Sequence, residues 1–336
     1  MKFAVIGAGS WGTTLANLLC NNGHEVVLWA RETEVVEGIS QNGRNPFFVT
    51  HLQLHQCLQC TNDLSAAISS AELALLAIPS GFIRSVLEPH KQQLQKLNGI
   101  ANVAKGFERD SGRRISQVIA EILGIEQESN QDRIACLSGP NLADEVAQQK
   151  LGASVIASPC QELSEQLQHC LSTSYFRVYR HSDRTGVELG GTLKNIFAIG
   201  AGIVDGLELG DNAKAAYLTR SLHELVRLGT ALGGEAQTFY GLAGLGDLMA
   251  TASSPLSRNH RLGQAIANGV SLKEFTDSTK MVVEGVEAAK IAKEWGKKLT
   301  LQLPITEELC RILFEGCQPD IAAANLMGRS LKAETD

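Results

Sequence analysis

Lys2-Phe-Ala-Val-Ile6, followed at once by Gly7-Ala-Gly-Ser-Trp-Gly12, is the stretch of sequence that decides the fold of this chain. The apolar run predicts a short buried strand, and residues 13–21 predict a helix that ends at Asn22-Gly23. Residues 25–29, Glu-Val-Val-Leu-Trp, are rich in strand-forming side chains and predict a second strand. Strand, loop, helix and strand in this order form a βαβ unit.

The glycine spacing of the loop is typical of a site for a dinucleotide pyrophosphate, because bare backbone amides at a helix N-terminus favour an anion. Gly7 permits the tight turn, Gly9 lets the backbone approach the phosphates, and Gly12 lets the helix pack closely on the strand. Trp11 either covers the phosphates or packs in the core. Because the surrounding elements fall in the required order, a nicotinamide dinucleotide is favoured over an unrelated glycine-rich turn.

Outward from this unit, strand-like runs alternate with helical stretches through the first half of the chain. The runs are 73–78, 100–104, 133–137, 154–157 and 176–179. Such alternation predicts an α/β fold, a Rossmann-type doubly wound parallel sheet with helices on both faces. Ligands bind such sheets at the carboxyl ends of the strands. Lys105 and Gly139 follow predicted strand ends, so both are expected to face that crevice.

The pattern changes after Ser182-Asp-Arg184, beyond which the periodicity is helical and no strand is predicted. The predicted helices include 186–204, 213–232, 284–295 and 304–314. We therefore expect a dinucleotide-binding Rossmann domain at 1–184 and an all-helical C-terminal domain for substrate binding and catalysis at 185–336.

Bulk properties exclude several classes of function. The 336 residues carry 30 basic and 36 acidic side chains, a formal net charge of -6, so nucleic-acid binding is disfavoured. No stretch approaches the roughly 20 apolar residues of a membrane helix, so no integral membrane segment is predicted. Polar residues interrupt the apolar N-terminus, and cleavage as a signal peptide would remove the glycine loop. With no secretory signal, the eight cysteines indicate reduced thiols of a cytoplasmic protein.

One group of residues has spacings that could suit zinc: His51, His55, Cys57 and Cys60. Nothing else in the sequence suggests a second half-site. Chance spacing is therefore the favoured interpretation, and no metal is predicted.

The residues after the second strand bear on the choice of cofactor. An acidic residue there would hold the ribose 2′-hydroxyl of NAD, whereas an arginine would suit the 2′-phosphate of NADP. The chain offers Arg31 and then Glu32. Because Arg31 is nearer the strand end, NADPH is favoured, with NADH as the alternative. Arg31 as a solvated charge is the other interpretation.

Lys194 is the first candidate for chemistry in the helical part. It lies in the apolar segment 190–198 and has no acidic residue at i−4 or i+4 to pair with. A desolvated lysine near a carbonyl group can act as general acid or base, because burial lowers its pKa. A lysine that extends to solvent over apolar surface fits the spacing equally well.

Two later segments carry polar groups suited to a substrate. The glycine-rich segment 241–251 holds one acid, Asp247, which could lie beside Lys194 or belong to a turn between helices. Ser257-Arg-Asn-His-Arg261 combines hydroxyl, guanidinium and amide donors. That combination suits a phosphate, which arginine binds through a charge-assisted fork. On spacing alone, an exposed basic turn would be favoured.

Taken together, these segments resemble the bacterial NAD(P)-dependent sn-glycerol-3-phosphate dehydrogenases. The resemblance covers essentially the whole chain, and ordered motifs beyond the glycine loop carry it. They are Ala-Lys-Gly-Phe-Glu at 104–108, Ser-Gly-Pro-Asn-Leu-Ala at 138–143, Leu-Lys-Asn at 193–195, Gly-Leu-Gly-Asp-Leu at 244–248, Ser-Arg-Asn at 257–259 and Val-Val-Glu-Gly at 282–285.

The resemblance implies a role for each matching position. Besides the glycine loop, the implied cofactor contacts are Ser10, Trp11, Arg31, Lys105, Ala143, Arg258, Val282 and Glu284. The implied substrate contacts are Lys105, Gly139, Asn141, Lys194, Asn195, Asp247, Ser257, Arg258 and Asn259. Lys194 would be the proton donor and acceptor, Asp247 would orient or tune it, and Lys105 would lie between cofactor and substrate. The family commonly has Ser or Thr where this chain has Asn141, so the geometry of that contact is open.

The implied reaction interconverts dihydroxyacetone phosphate and sn-glycerol 3-phosphate with NAD(P)H, supplying glycerol 3-phosphate for glycerophospholipid biosynthesis. The resemblance also suggests a homodimer. A β-hydroxyacid dehydrogenase also joins a Rossmann domain to a helical domain, but Asp247 and Ser257-Arg-Asn259 argue against it. A dinucleotide sensor without catalysis is disfavoured because Lys105, Lys194 and Asp247 are all retained.

Overall fold

The computed structural model describes residues 1–125, 132–278, 283–331, 333 and 334. The strands are β1 Lys2–Ile6, β2 Glu25–Trp29, β3 Gln59–Thr61, β4 Leu73–Leu76, β5 Gly99–Asn102, β6 Ile134–Ser138, β7 Gly152–Ala157 and β8 Phe176–His181. The helices of the first half are α1 Ser10–Asn21, α2 Thr33–Asn42, α3 Leu64–Ser69, α4 Ile83–Leu87, α5 Lys91–Leu94, α6 Ile115–Leu123, α7 Ala143–Ala147 and α8 Gln161–Leu171.

The rest of the described chain is helical. Its helices are α9 Arg184–Gly206, α10 Asp211–Ala231, α11 Ala236–Phe239, α12 Asp247–Ser253, α13 Arg258–Ala267, α14 Leu272–Asp277, α15 Glu284–Lys298, α16 Pro304–Glu315 and α17 Pro319–Met327. A π-helical turn, Leu242–Gly246, leads directly into α12. The predicted fold class, an α/β sheet followed by a helical part, is confirmed.

The strands form one sheet in the order β3-β2-β1-β4-β5-β6-β7-β8. Neighbouring strands are parallel except for β6 and β7, which pair antiparallel. The prediction of a parallel sheet is therefore wrong at this one pair. The cause is α7, whose five residues rise only about 7.5 Å. So short a helix cannot return the chain along the length of β6, and β7 starts from the same edge.

Four parallel strands, β1, β4, β5 and β6, end at one edge of the sheet. The glycine loop follows β1 there, and the loops that carry Lys105 and Gly139 follow β5 and β6. The Lys105 ammonium donates to the Gly139 carbonyl oxygen at 3.1 Å. This contact confirms that both residues lie at the expected edge.

Helix α9 forms the centre of the helical part and is buried along nearly all of its length. It begins where the Asp183 carboxylate accepts a hydrogen bond from the Gly186 N–H at 2.7 Å. By length and composition α9 could cross a membrane, with a mean hydropathy of 1.3, but that window is 100% buried in the fold. The expectation that no stretch approaches such a composition is therefore wrong for α9, and its burial is that of a core helix.

Candidate active site

The glycine loop has the geometry that its sequence predicts. Gly7 has a φ of +117°, and a Cβ built on it would lie 2.8 Å from the Ala77 backbone. A Cβ on Gly12 would lie 1.9 Å from the Gly7 carbonyl oxygen, so only glycine allows α1 to approach the loop. A Cβ on Gly9 would meet no described atom within 4 Å. The loop is thus tight on its protein side and open beside Gly9, which fits a bound pyrophosphate.

Ser10 and Trp11 begin α1 directly after the loop. The Trp11 ring packs edge-on against Phe176, with ring centroids 6.1 Å apart. Its indole N–H is buried and meets no hydrogen-bond partner among the described residues. The structure shows that Trp11 packs in the core, and contact of its indole N–H with the dinucleotide stays a prediction.

Arg31 lies at the end of β2, at the surface. Its side chain is 78% exposed and pairs with Glu32, with 2.6 Å between the guanidinium nitrogen and the carboxylate oxygen. The two residues considered for cofactor choice therefore bind each other. Because the pair is exposed, separating the two charges costs little.

Lys194 and Asp247 meet in the interior, brought together by α9 and α12. The Lys194 ammonium lies 2.9 Å from Asp247 Oδ1, and both residues are buried, at 4% and 2% exposure. A small-residue surface on α9 allows this approach, since a Cβ on Gly190 would lie 2.9 Å from the Ala243 carbonyl oxygen. The alternative of a lysine that extends to solvent is excluded by this burial.

Lys105 completes the cluster from the sheet. Its ammonium donates to Asp247 Oδ2 at 2.6 Å, to Asn141 Oδ1 at 2.7 Å and to the Gly139 carbonyl oxygen at 3.1 Å. These contacts use all three N–H donors of a lysine. The Asp247 carboxylate thus lies between two ammonium groups, one from each half of the chain.

The cluster's electrostatics suit proton transfer from Lys194. The pKa of Lys194 is lowered from 10.5 to about 8, chiefly by burial and also by the nearby Lys105 charge, against the opposing effect of the Asp247 carboxylate. An ammonium with a pKa of about 8 is mostly protonated at pH 7, yet it releases its proton readily.

Asn141 presents an unused donor at the same place. Its Oδ1 accepts from Lys105, while its amide nitrogen is buried and meets no partner in the described part of the chain. The Ser138 hydroxyl, at the end of β6, is also buried and also meets no partner among the described residues. Buried polar groups are nearly always hydrogen-bonded, so these two point to a polar ligand.

Ser257, Arg258 and Asn259 form the start of α13, where the Ser257 hydroxyl accepts from the His260 N–H at 3.3 Å. The Asn259 side chain donates to Asn195 at 2.9 Å and accepts from the Gly285 N–H at 3.0 Å. Ser257 caps the helix and Asn259 links α9, α13 and α15. The Ser257 hydroxyl proton and the second amide N–H of Asn259 take no part in these bonds, so their contact with a substrate stays a prediction.

Glu284 begins α15 and accepts a long hydrogen bond, 3.4 Å, from the Asn195 amide. Burial raises the pKa of Glu284, and the nearby Arg258 charge opposes that effect. Arg258 therefore lies close to Glu284, as expected of two residues assigned to one cofactor pocket. Val282 falls outside the described residues. Ala143 starts α7 against α1, where its carbonyl oxygen accepts from the Thr14 hydroxyl at 3.4 Å.

Sequence reasoning missed Thr251, which lies in the middle of the cluster. The Lys194 ammonium donates to its hydroxyl, and that hydroxyl donates to Asp247 Oδ1 at 3.1 Å. Thr251 is one helical turn after Asp247 on α12, so spacing of i,i+4 was an available signal. Thr192 was also missed; its hydroxyl accepts from the Gly106 N–H at 3.0 Å and fixes the loop that carries Lys105.

The four residues with zinc-like spacing, His51, His55, Cys57 and Cys60, do not form a metal site in the structure. Within the described residues no three His, Cys, Asp or Glu side chains converge as a metal site. The His55 ring instead accepts a hydrogen bond from the Cys57 N–H at 3.2 Å.

Comparison with known proteins identifies the family of this chain. The models for the N-terminus and the C-terminus of NAD-dependent glycerol-3-phosphate dehydrogenase match residues 2–164 and 183–324. A glycerol-3-phosphate dehydrogenase of Geobacter sp. (strain M21) is 43% identical, over 99% of this chain and 98% of the relative. One from Syntrophotalea carbinolica is 42% identical over 100% of both.

The solved structure of glycerol-3-phosphate dehydrogenase from Coxiella burnetii has the same fold. It superposes with a TM-score of 0.90 at 36% identity, covering 98% of this chain and 99% of that one. The chain therefore belongs to the NAD-dependent glycerol-3-phosphate dehydrogenase family and is an enzyme of that activity.

Proposed function

We propose that this chain reduces dihydroxyacetone phosphate to sn-glycerol 3-phosphate at the cluster of Lys105, Lys194 and Asp247, with Lys194 as the proton donor. One observation carries the proposal: a buried carboxylate lies 2.9 Å from one ammonium group and 2.6 Å from another. With both lysines protonated and the aspartate ionised, the three groups carry a net positive charge. That charge stabilises an alkoxide forming beside it.

The dinucleotide is assigned to the glycine loop, because the open space beside Gly9 fits a pyrophosphate approaching the N-terminus of α1. When bound, the nicotinamide supplies the hydride that reduces the substrate carbonyl. Trp11 supports the loop through its packing. Glu284 and Arg258, whose charge lowers the pKa of Glu284 against the effect of burial, are assigned to the same pocket from the helical part.

Lys194 gives its proton to the alkoxide oxygen. Asp247 and Thr251 accept two of its N–H bonds and so fix the direction of the ammonium, while the remaining N–H serves the substrate. In the reverse direction the neutral amine takes the proton from the alcohol. Thr251 and Asp247 act by holding Lys194 in place.

Lys105 and Asn141 hold the substrate beside Lys194. Lys105 donates its three N–H groups to Gly139, Asn141 and Asp247. Contact between Lys105 and the substrate therefore requires that a bond to the substrate replace one of these three bonds. The orphaned amide nitrogen of Asn141 donates without any exchange. Asn141 therefore provides the hydrogen bond that the family commonly makes with a hydroxyl.

The substrate phosphate is assigned to Arg258 at the N-terminus of α13. Backbone N–H groups and the helix dipole favour an anion there, and the guanidinium adds a full charge. Ser257 and Asn259 contribute by shaping this helix start, through the cap and the link to Asn195.

The proposal extends to NADPH as the preferred coenzyme. Arg31 lies at the strand end where a 2′-phosphate is bound, and its exposed pairing with Glu32 leaves it able to turn toward an anion. Comparable turnover with NADH at equal concentration would contradict this preference.

The wider setting is also proposed. The chain supplies glycerol 3-phosphate for glycerophospholipid synthesis in the cytoplasm, where its eight free cysteines stay reduced. The dinucleotide domain spans 1–184 and the catalytic domain 185–336, divided at the start of α9. We include a homodimer, because the resemblance to the family suggests one. Light scattering across a concentration series measures that state.

The test is initial-rate kinetics on dihydroxyacetone phosphate with NADPH and NADH in parallel, beside a β-hydroxyacid oxidised with NADP. We expect turnover of the phosphorylated ketone and none of the hydroxyacid. Lys194→Ala should lower kcat at least about a hundredfold, the usual scale for loss of a general acid. Near-normal turnover in a correctly folded Lys194→Ala enzyme would remove the assignment.

A further inference from the structure

Asn45, in the segment between α2 and β3, contacts the glycine loop from behind. The residue is 1% exposed. Its amide nitrogen donates to the Ala8 carbonyl oxygen at 2.8 Å and to the Thr13 hydroxyl at 2.9 Å. Its Oδ1 accepts from the N–H groups of Phe47 and Phe48 at 3.0 and 3.1 Å. A side chain distant in sequence thus bonds directly to the middle of the loop.

These contacts fix the Ala8 carbonyl in one direction. The Thr13 hydroxyl also donates to it, at 3.1 Å, so Ala8, Thr13 and Asn45 form a closed set of hydrogen bonds. The two amide donors of Asn45 are both used, and its oxygen accepts twice. An asparagine that is so fully bonded and buried holds a single orientation.

The direction of the Ala8 carbonyl decides the direction of the next N–H. A trans peptide is planar, so its C=O and N–H point to opposite sides. Because the Ala8 carbonyl points to Asn45, the Gly9 N–H points away from it. A Cβ built on Gly9 would meet no described atom within 4 Å, so this side of the loop is open to a ligand.

We propose that Asn45 is a positioning residue for the dinucleotide: it turns the Ala8–Gly9 peptide so that the Gly9 N–H faces the pyrophosphate. The inference rests on the proposed assignment of the glycine loop to the dinucleotide. Within the described residues, the Asn45 side chain bonds to the loop, to Thr13 of α1 and to its own turn. Its effect is therefore on cofactor binding and reaches neither Lys194 nor the phosphate site.

Asn17, on α1 one turn after Thr13, provides a matched control. It is buried, and its Oδ1 accepts from the His55 N–H at 2.7 Å. Asn17 therefore fixes the far end of the segment that Asn45 begins, and within the described part of the chain its side chain makes no hydrogen bond to the glycine loop. Loss of Asn17 loosens this segment without turning the Ala8 carbonyl.

The decisive variant is Asn45→Asp, which keeps both acceptor contacts and replaces the two amide donors by a carboxylate oxygen facing Ala8. We expect the Kd for NADPH, measured by fluorescence titration, to rise about tenfold, which corresponds to about 1.4 kcal/mol. The KM for the dinucleotide should rise with it, while the KM for dihydroxyacetone phosphate stays within about twofold. Asn17→Ala should lower Tm and leave the Kd within about twofold.

If Asn45→Asp fails to fold, Thr13→Val tests the same set of hydrogen bonds. It removes one donor to Ala8 and one acceptor of Asn45, at constant volume, and should raise the Kd for NADPH in the same direction by a smaller factor. An unchanged Kd in Thr13→Val would then overturn the inference.

Gly9→Ala tests whether the glycine loop binds the dinucleotide, independently of the role of Asn45. The added methyl has room in the protein, so Tm should hold, and it should obstruct the pyrophosphate and raise the Kd for NADPH. An unchanged Kd in Gly9→Ala contradicts the loop assignment itself. A raised Kd in Gly9→Ala with an unchanged one in Asn45→Asp contradicts only the role of Asn45. Equal rises in Asn45→Asp and Asn17→Ala also contradict it, since they would reflect a loosened segment.

Discussion

At the scale of single residues, the balance of charge around Lys194 decides at which pH this lysine can deliver a proton in the mechanism that we propose. Burial lowers the pKa of this lysine from 10.5 to about 8, and Asp247 keeps it from falling further. A lysine in water would hold its proton too firmly at neutral pH, whereas one with no carboxylate partner would lose it. The site therefore sets Lys194 close to the pH at which it works.

The two directions of the reaction should depend on pH with opposite sign. Ketone reduction needs the ammonium form, which is lost as the pH rises through about 8. Alcohol oxidation needs the neutral amine, which appears over the same interval. We expect kcat for dihydroxyacetone phosphate to fall and kcat for glycerol 3-phosphate to rise between pH 7 and pH 9. Profiles that move in the same direction would show that another group titrates.

Arg258 and Arg261 allow the phosphate assignment to be tested within one helix. Arg258→Ala removes a charge-assisted hydrogen bond, which is worth about 1.5–3 kcal/mol, so KM for dihydroxyacetone phosphate should rise roughly 10- to 100-fold. Arg261→Ala removes the same side chain from an exposed position on α13 and should leave KM near its original value. Equal KM values in the two variants would remove Arg258 from the phosphate site.

At the scale of helices and strands, much of the fold could be predicted because its signals are local. The end of α1 and the start of α9 follow from Asn22-Gly23 and the Asp183 cap, and the apolar strands stand out by composition. β3 could not be predicted, because Gln59-Cys-Thr61 has neither length nor apolar alternation. The reversal at β7 depends on the shortness of α7, which a sequence pattern does not fix.

The residues of the candidate site could also be predicted where their signals are local, whereas their arrangement in space could not. Lys194, Asp247 and Lys105 each lie in a local motif, so the sequence alone could predict them as candidate site residues. That Asp247 lies between the two lysines depends on packing of α9, α12 and the sheet edge, which no local pattern records. Asn259 shows the same dependence, since its motif suggests a ligand contact while its bonds to Asn195 and Gly285, which link three helices, leave no trace in the local sequence.

Helix α16 illustrates how one element depends on another. Glu224 of α10 accepts from the Ile305 and Thr306 N–H groups at 2.6 and 3.1 Å, and so caps the start of α16. Burial raises the pKa of Glu224 from 4.5 to about 7, with these donors opposing it. The folded state therefore binds the proton more tightly than the unfolded state does.

This raised pKa gives a prediction for stability. The contribution of Glu224 to the free energy of unfolding is fully present below pH 4.5 and is lost as the pH rises through about 7. Its size is about 3 kcal/mol by order of magnitude. Glu224→Gln cannot titrate at this position. The Tm of the wild type should therefore fall relative to the Tm of the variant as the pH rises from 4.5 to 7. A constant difference in Tm over that interval would argue against the titration.

At the scale of the whole molecule, the reacting cluster exists only where the two halves of the chain meet. Lys105 comes from the sheet edge, whereas Lys194 and Asp247 come from the helical part. The net charge of the chain is -6, yet this interface gathers an excess of positive charge. Bringing the halves together thus also sets the acidity of Lys194, since Lys105 acts on it across the interface.

Two substitutions should move that acidity in opposite directions. The Lys105 charge lowers the pKa of Lys194, so Lys105→Met should shift the alkaline limit of dihydroxyacetone phosphate reduction above pH 8. The Asp247 carboxylate raises the same pKa, so Asp247→Asn should shift that limit below pH 8. Both variants should lose activity, but the position of the residual pH profile is independent of its height. Shifts in one common direction would mean that damage to the interface, rather than charge, governs the profile, and that Lys105 and Asp247 do not tune Lys194.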